Sequence, residues 1–98
     1  ILILNTKNQI NAIHRVFTGS LNASVAHPRE IFRSAILNNG ARIILYHNHP
    51  SSDLTPSEAD LVFTQRMMEA GEVLGIELLD HFIVSATKWL SFKEIGLL

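Results

Sequence analysis

Apolar and polar positions fall into short blocks, and the blocks predict the elements. Residues 1–4, "ILIL", are a continuous apolar run that reads as a buried strand. Residues 5–9, "NTKNQ", are polar turn chemistry, and residues 10–19, rich in β-branched and aromatic side chains, read as the hairpin partner. "SLNASVA" is a polar connection. His27-Pro28 opens a helix with Pro28 at its first position, an apolar face of Ile31, Ala35 and Ile36, and a stop at Asn39-Gly40. Residues 41–46, "ARIILY", form an unbroken apolar run that predicts a central strand. Thr55, Pro56 and Glu58 read as a capping box for a second helix, with Leu61, Val62, Phe63 and Met68 as its buried stripe and Gly71 and Gly75 loosening its end. Residues 76–85 predict another strand, "ATKW" turns the chain, and Ser91 with Glu94 makes a second capping box for a short last helix ending near Gly96. The order β-β-α-β-α-β-α predicts an α/β fold, a mixed β-sheet flanked by helices.

Composition narrows the function classes. Ninety-eight residues, 47% of them hydrophobic, make one domain with a real core. A net charge of −1 gives no basic face, so direct nucleic-acid contact through this domain is not expected. The absence of cysteine excludes disulfides, thiolate nucleophiles and Cys-ligated zinc. No apolar run reaches the length of a membrane span, and the first residues lack a basic segment and cleavage site of a signal peptide, so a cytoplasmic location is expected. The chain begins without Met inside a strand-like run, which reads as a domain truncated at its N-terminus. The strand at Ile1 is then a candidate exposed edge through which chains could pair as a homo-oligomer.

The densest polar chemistry is "YHNHPSSDLTPSEAD", residues 46–60. Residues two apart on a strand point to one side, so His47 and His49, directly after the central strand, can converge on one ion. Imidazole suits zinc and other borderline metals. Ser57 and Asp60, three apart in the first turn of the next helix, share a face, and that turn is aimed at the strand tip. Asp60 thereby completes a set of two histidines and one carboxylate, with water in the fourth position, the layout of a catalytic zinc site. Taken singly, each residue has a plainer reading. A histidine at a strand end is ordinarily a surface residue, Ser57 a first-turn polar residue, and Asp60 a favourable charge at a helix N-terminus.

His47-x-His49, seven residues, Ser57, two residues and Asp60 resemble the HxHx7SxxD core of the JAMM (MPN+/JAB) metalloprotease family. "HPREIFRSAILNNGARIILYHNHPSSDLTPSEAD" and "LLDHFIVS" look like its RadC-like branch, bacterial proteins historically labelled DNA repair proteins, over residues 17–98. The resemblance implies a JAB/MPN, cytidine-deaminase-like architecture for residues 1–98, with His47, His49 and Asp60 as Zn²⁺ ligands. It also implies that Ser57 hydrogen-bonds the oxyanion of the tetrahedral intermediate or positions the water. An upstream glutamate on an early strand serves the family as general base. No glutamate lies in residues 1–29, so by the resemblance that position falls at or before the start of this chain. Glu30 is the one acid upstream of His47 and the remaining candidate, though it reads more naturally as a first-turn helix acid than as the base.

Two functions from different classes follow. The first is a zinc-dependent metallopeptidase of JAMM type, acting on a peptide or protein substrate through a zinc-bound water. The second is a non-catalytic metal-binding or scaffold module in a DNA repair or mobile-element protein. The adjacent letters "HNH" do not make an HNH nuclease, whose members are spread over a ββα finger, and deaminase PCxxC ligands are absent. Asp80-His81 reads as either a pair orienting a metal ligand or a strand-end structural pair. His14 and His27 read as surface or turn residues, and Trp89 as a packing anchor.

Overall fold

The computed structural model describes residues 1–16, 27–49 and 52–98. Along the chain come β1 (Leu2–Leu4), β2 (Ile10–Ile13), α1 (Pro28–Leu37), β3 (Arg42–Asn48), α2 (Glu58–Leu74), β4 (Glu77–Val84) and β5 (Trp89–Ser91). The strands form one sheet in the order β2-β1-β3-β4-β5. β3 and β4 are parallel and the other neighbours antiparallel, so the sheet is mixed, as the element pattern predicts. The parallel pair is joined by α2, the crossover such a pair requires.

Both helices cover the same face. Ile31, Phe32 and Ala35 of α1 and Phe63 and Met67 of α2 pack with Ile1, Ile3, Ile43, Leu45, Ile76 and Leu78 in one buried cluster. His27 caps α1, its Nδ1 accepting from Arg29 N–H at 3.0 Å, and Pro28 follows at the position predicted for it. Ile36, read as part of the apolar face, is exposed, and Phe32 takes its place in the core. Gly71, read as loosening the end of α2, instead lies inside the helix where a Cβ would run into the Ile76 carbonyl. Gly75 supplies the left-handed C-cap, at φ 71°. Among the described residues, no helix is long and apolar enough to cross a membrane.

Several expectations are corrected. The second strand ends at Ile13, short of the predicted 10–19, and residues 17–19 of that reading lie outside the described residues. β1 is not an edge: β2 pairs with one side and β3 with the other, because the hairpin folds back while β1 joins the central strands. The described sheet ends instead at β2 and β5. The last helix is absent. Residues 92–96 form turns, closed by Leu97 N–H donating to Phe92 O at 2.8 Å, because so short a segment cannot repay helix nucleation. Ser91 Oγ still accepts from Glu94 N–H at 3.1 Å, the cap without its helix. Trp89 lies on β5, 59% exposed, with its edge against Phe82, and so is not a buried anchor.

One irregularity places the site. β3 pairs with β4 as Ile43↔Leu78 but then as Ile44↔Asp80 and Leu45↔His81, so Leu79 is an extra residue in β4. A slip of one residue turns every later side chain to the other face. Without the bulge Asp80 and Phe82 would face the helices; with it, His81 and Ile83 do, and both are buried.

Candidate metal centre

β3 runs two residues beyond its apolar stretch because Tyr46, His47 and Asn48 go on pairing with Phe82, Ile83 and Val84 of β4. His49 N–H donates to Val84 O at 3.0 Å, which holds the next residue against the same strand. His47 and His49 therefore extend the buried row of Ile43 and Leu45. Their rings lie 5.0 Å apart, tilted by 60°.

The helix end that meets them is capped differently from the sequence reading. Ser57, not Thr55, is the N-cap: its Oγ accepts from Asp60 N–H at 3.0 Å, and its own N–H donates to Asp60 Oδ2 at 2.7 Å. Thr55 lies instead in a turn before the helix, its N–H donating to Asp53 Oδ1 at 3.0 Å. The reciprocal cap fixes Asp60, which is 1% exposed.

The three expected ligands meet. His47 Nε2 lies 3.0 Å from Asp60 Oδ1 and His49 Nε2 lies 3.1 Å from Asp60 Oδ2. One donor atom from each residue falls within 4.8 Å of the others. His49 Nδ1 faces the Asp53 carbonyl at 3.2 Å, leaving Nε2 toward the centre. His47 Nε2 is buried beside Oδ1 and makes no well-formed hydrogen bond to it. An orphaned imidazole nitrogen beside a carboxylate oxygen is what a cation between them would satisfy. The donor set suits zinc, which sits about 2.0–2.2 Å from such atoms.

The electrostatics agree. Burial pushes the His47 imidazolium down, and this outweighs the opposing pull of Asp60, so the ring is biased to the neutral form a metal binds. Burial pushes the Asp60 carboxyl up, but hydrogen bonds from Ser57 and the neighbouring His47 and His49 outweigh it and hold the carboxyl below its usual range. Behind His47, its Nδ1 lies 2.8 Å from His81 Nε2, and His81 Nδ1 lies 2.6 Å from Thr64 Oγ1. Thr64 Oγ1–H donates to the Asp60 carbonyl at 2.8 Å. His81 is pushed down to about 4, first by burial and then by the nearby His47.

Other predicted residues lie elsewhere. Glu30 is in the first turn of α1, exposed and 3.7 Å from Arg29, outside the three-donor cluster. Asp80 does not orient His81's ring. Its carboxylate binds Ser91 Oγ, Lys93 N–H and the His81 backbone N–H, so it holds β5 and the following turn. His14 lies on the surface, with Nδ1 2.5 Å from Ser34 Oγ. Thr64 was not singled out by sequence. Its signal is its place one helical turn after Asp60, on the same face.

Comparison with known proteins agrees with this geometry. A family model described as the RadC-like JAB domain matches residues 1–97. A UPF0758 protein of Clostridium botulinum is 56% identical over 96 residues, which cover 98% of this chain and 42% of that protein. A UPF0758 protein of Listeria welshimeri is 52% identical over 95 residues, covering 97% of this chain and 42% of that protein. The chain thus spans less than half the length of these relatives. With a mixed sheet, a crossover helix and a His-His-Asp cluster at the strand tip, the chain belongs to the RadC-like JAB domain family.

Proposed function

We propose that this domain is a zinc-dependent hydrolase that cleaves a peptide or isopeptide bond in a protein substrate. The observation that carries the reading is the buried, unpartnered His47 Nε2 facing Asp60 Oδ1, with His49 Nε2 turned to the same carboxylate. His47, His49 and Asp60 would hold the ion. When bound, zinc supplies a water acidified toward neutral pH and polarises the scissile carbonyl.

The chain's own groups do the rest. Asp60, ionised and fixed by the cap, balances part of the ion's charge and keeps the donors together. Ser57 stands beside Asp60 at the exposed rim, and its hydroxyl hydrogen is the donor we assign to the developing oxyanion. Removal of the water's proton needs a base. Glu30 is the first candidate within residues 1–98, against a glutamate outside them. The test is hydrolysis of a broad peptide and isopeptide library by metal-stripped and zinc-reloaded protein. Cleavage that returns with zinc and is lost in His49→Ala supports the reading.

A second reading is favoured by one observation: Glu30 is exposed and outside the cluster, so the described site has ligands without a base in contact. On that reading the domain is a metal-binding scaffold within a longer DNA repair or mobile-element protein. Tight zinc binding with no cleavage across the library would select it.

A further inference from the structure

We propose that His81 and Thr64 are positioning residues that lock His47 in the tautomer whose Nε2 is bare, so that the metal ligand is preset before any ion arrives. The inference rests on the His47-His49-Asp60 reading of the metal centre and adds the device that prepares it.

The argument is one of hydrogen counting. Thr64 Oγ1 has one hydrogen, and the Asp60 carbonyl 2.8 Å away can only accept it. With that hydrogen on the carbonyl, Thr64 Oγ1 accepts from His81 Nδ1, 2.6 Å away, and a hydrogen sits on that nitrogen. A neutral His81 then has a bare Nε2, which accepts from His47 Nδ1–H across 2.8 Å. His47 in turn has a bare Nε2, the atom found without a hydrogen-bond partner. All hydrogens in the chain His47, His81, Thr64, Asp60 point one way. The chain starts on one proposed ligand and ends on the main chain of another.

The surroundings hold His81 in place. Its side is set by the Leu79 bulge, its ring stacks on buried Phe92 at 4.5 Å, and it is 2% exposed. Burial without a carboxylate on either ring nitrogen disfavours the doubly protonated ring that would reverse the relay. Metal-bound histidines commonly donate their other ring N–H to a carboxylate, a carbonyl or water, and loss of such a partner typically lowers metal affinity about 10- to 100-fold. Here the partner is a second histidine, which accepts through Nε2 in the tautomer that Thr64 favours.

The experiment reads ring-nitrogen tautomers by ¹⁵N NMR in metal-free protein and Zn²⁺ affinity by competition with a chelator. In the wild type, His47 and His81 should both be in the Nδ1–H form. Thr64→Val keeps the shape but removes the lock. It should mix the tautomers of both rings and weaken zinc about tenfold. His81→Leu should weaken it about 10- to 100-fold, and His81→Gln, whose amide oxygen can accept from His47 Nδ1–H, should recover part of that loss. An Nε2–H form of either ring in the wild type, or unchanged tautomers and zinc affinity in folded Thr64→Val, would overturn the proposal. A wild type with preset tautomers but no zinc affinity would leave the relay intact and refute the metal reading instead.

Discussion

His47 Nε2 lies 3.0 Å from Asp60 Oδ1 yet makes no hydrogen bond there. β3 delivers the ring and the N-terminus of α2 delivers the carboxylate, and both side chains are held from behind. His47 is held through His81, and Asp60 through Ser57. Such a contact costs free energy in the metal-free fold, because a buried ring nitrogen is left without a well-formed hydrogen bond. A cation bound between them removes that cost, and from this relationship the predictions follow.

Ser57→Ala separates capping from catalysis. Its Oγ accepts from Asp60 N–H, so the substitution should cost about 0.5–2 kcal/mol of stability by thermal melting. If the hydroxyl also meets the oxyanion, kcat should fall about 10²- to 10³-fold with zinc content unchanged. A stability loss with unchanged kcat would confine Ser57 to the cap.

Gly71→Ala serves as a control away from the donors. A Cβ there meets the Ile76 carbonyl, and Phe32 Cζ lies 3.3 Å away. Overpacking of this kind costs about 1–3 kcal/mol. Melting should report the loss, while zinc affinity measured below the transition stays at the wild-type value.

Acid should destabilise the metal-free protein. His81 titrates at about 4 when folded, against about 6.5 in an unfolded chain. Between those values the unfolded state binds more protons, so stability is full above pH ~6.5 and falls as pH drops through the folded value, by at most about 3 kcal/mol for this group. Asp60, held below its usual range, adds a loss in the same direction at lower pH. Melting temperature should fall from pH 7 to 4.5, and His81→Gln should flatten the upper part of that fall. A flat wild-type profile would contradict the buried neutral His81.

The candidate ligands were legible in the sequence because strand and helix periodicity place them without reference to the rest of the chain. His47 is on β3 and His49 follows one residue past its end, and Asp60 is in a first helical turn. The buried face of α2 was not. Apolarity selects Leu61 and Val62, yet they are 40% and 54% exposed, while Asp60, Phe63, Thr64, Met67 and Gly71 face inward. Two of those five are polar because the face serves the site, and a hydropathy reading cannot anticipate that. Asp80-His81 was legible as a pair that could orient a metal ligand, but which of the two turns toward His47 was not. Strict alternation along residues 76–85 cannot show that Leu79 is an extra residue, and the bulge decides whether Asp80 or His81 faces the helices. β5 and the final turns were misread because the Ser91–Glu94 cap is real but its helix never propagates.

The most direct measurement is the zinc affinity of the purified protein, by competition with a chromophoric chelator, for wild type, Asp60→Asn and the His47→Ala, His49→Ala double variant. Asn can still accept from Ser57 N–H, so the cap survives in Asp60→Asn while a charged ligand is lost. The account predicts one zinc per wild-type chain, affinity lowered at least about 100-fold in both variants, and a zinc-induced rise in melting temperature in the wild type alone. Wild-type affinity and stoichiometry retained in the double variant would contradict it.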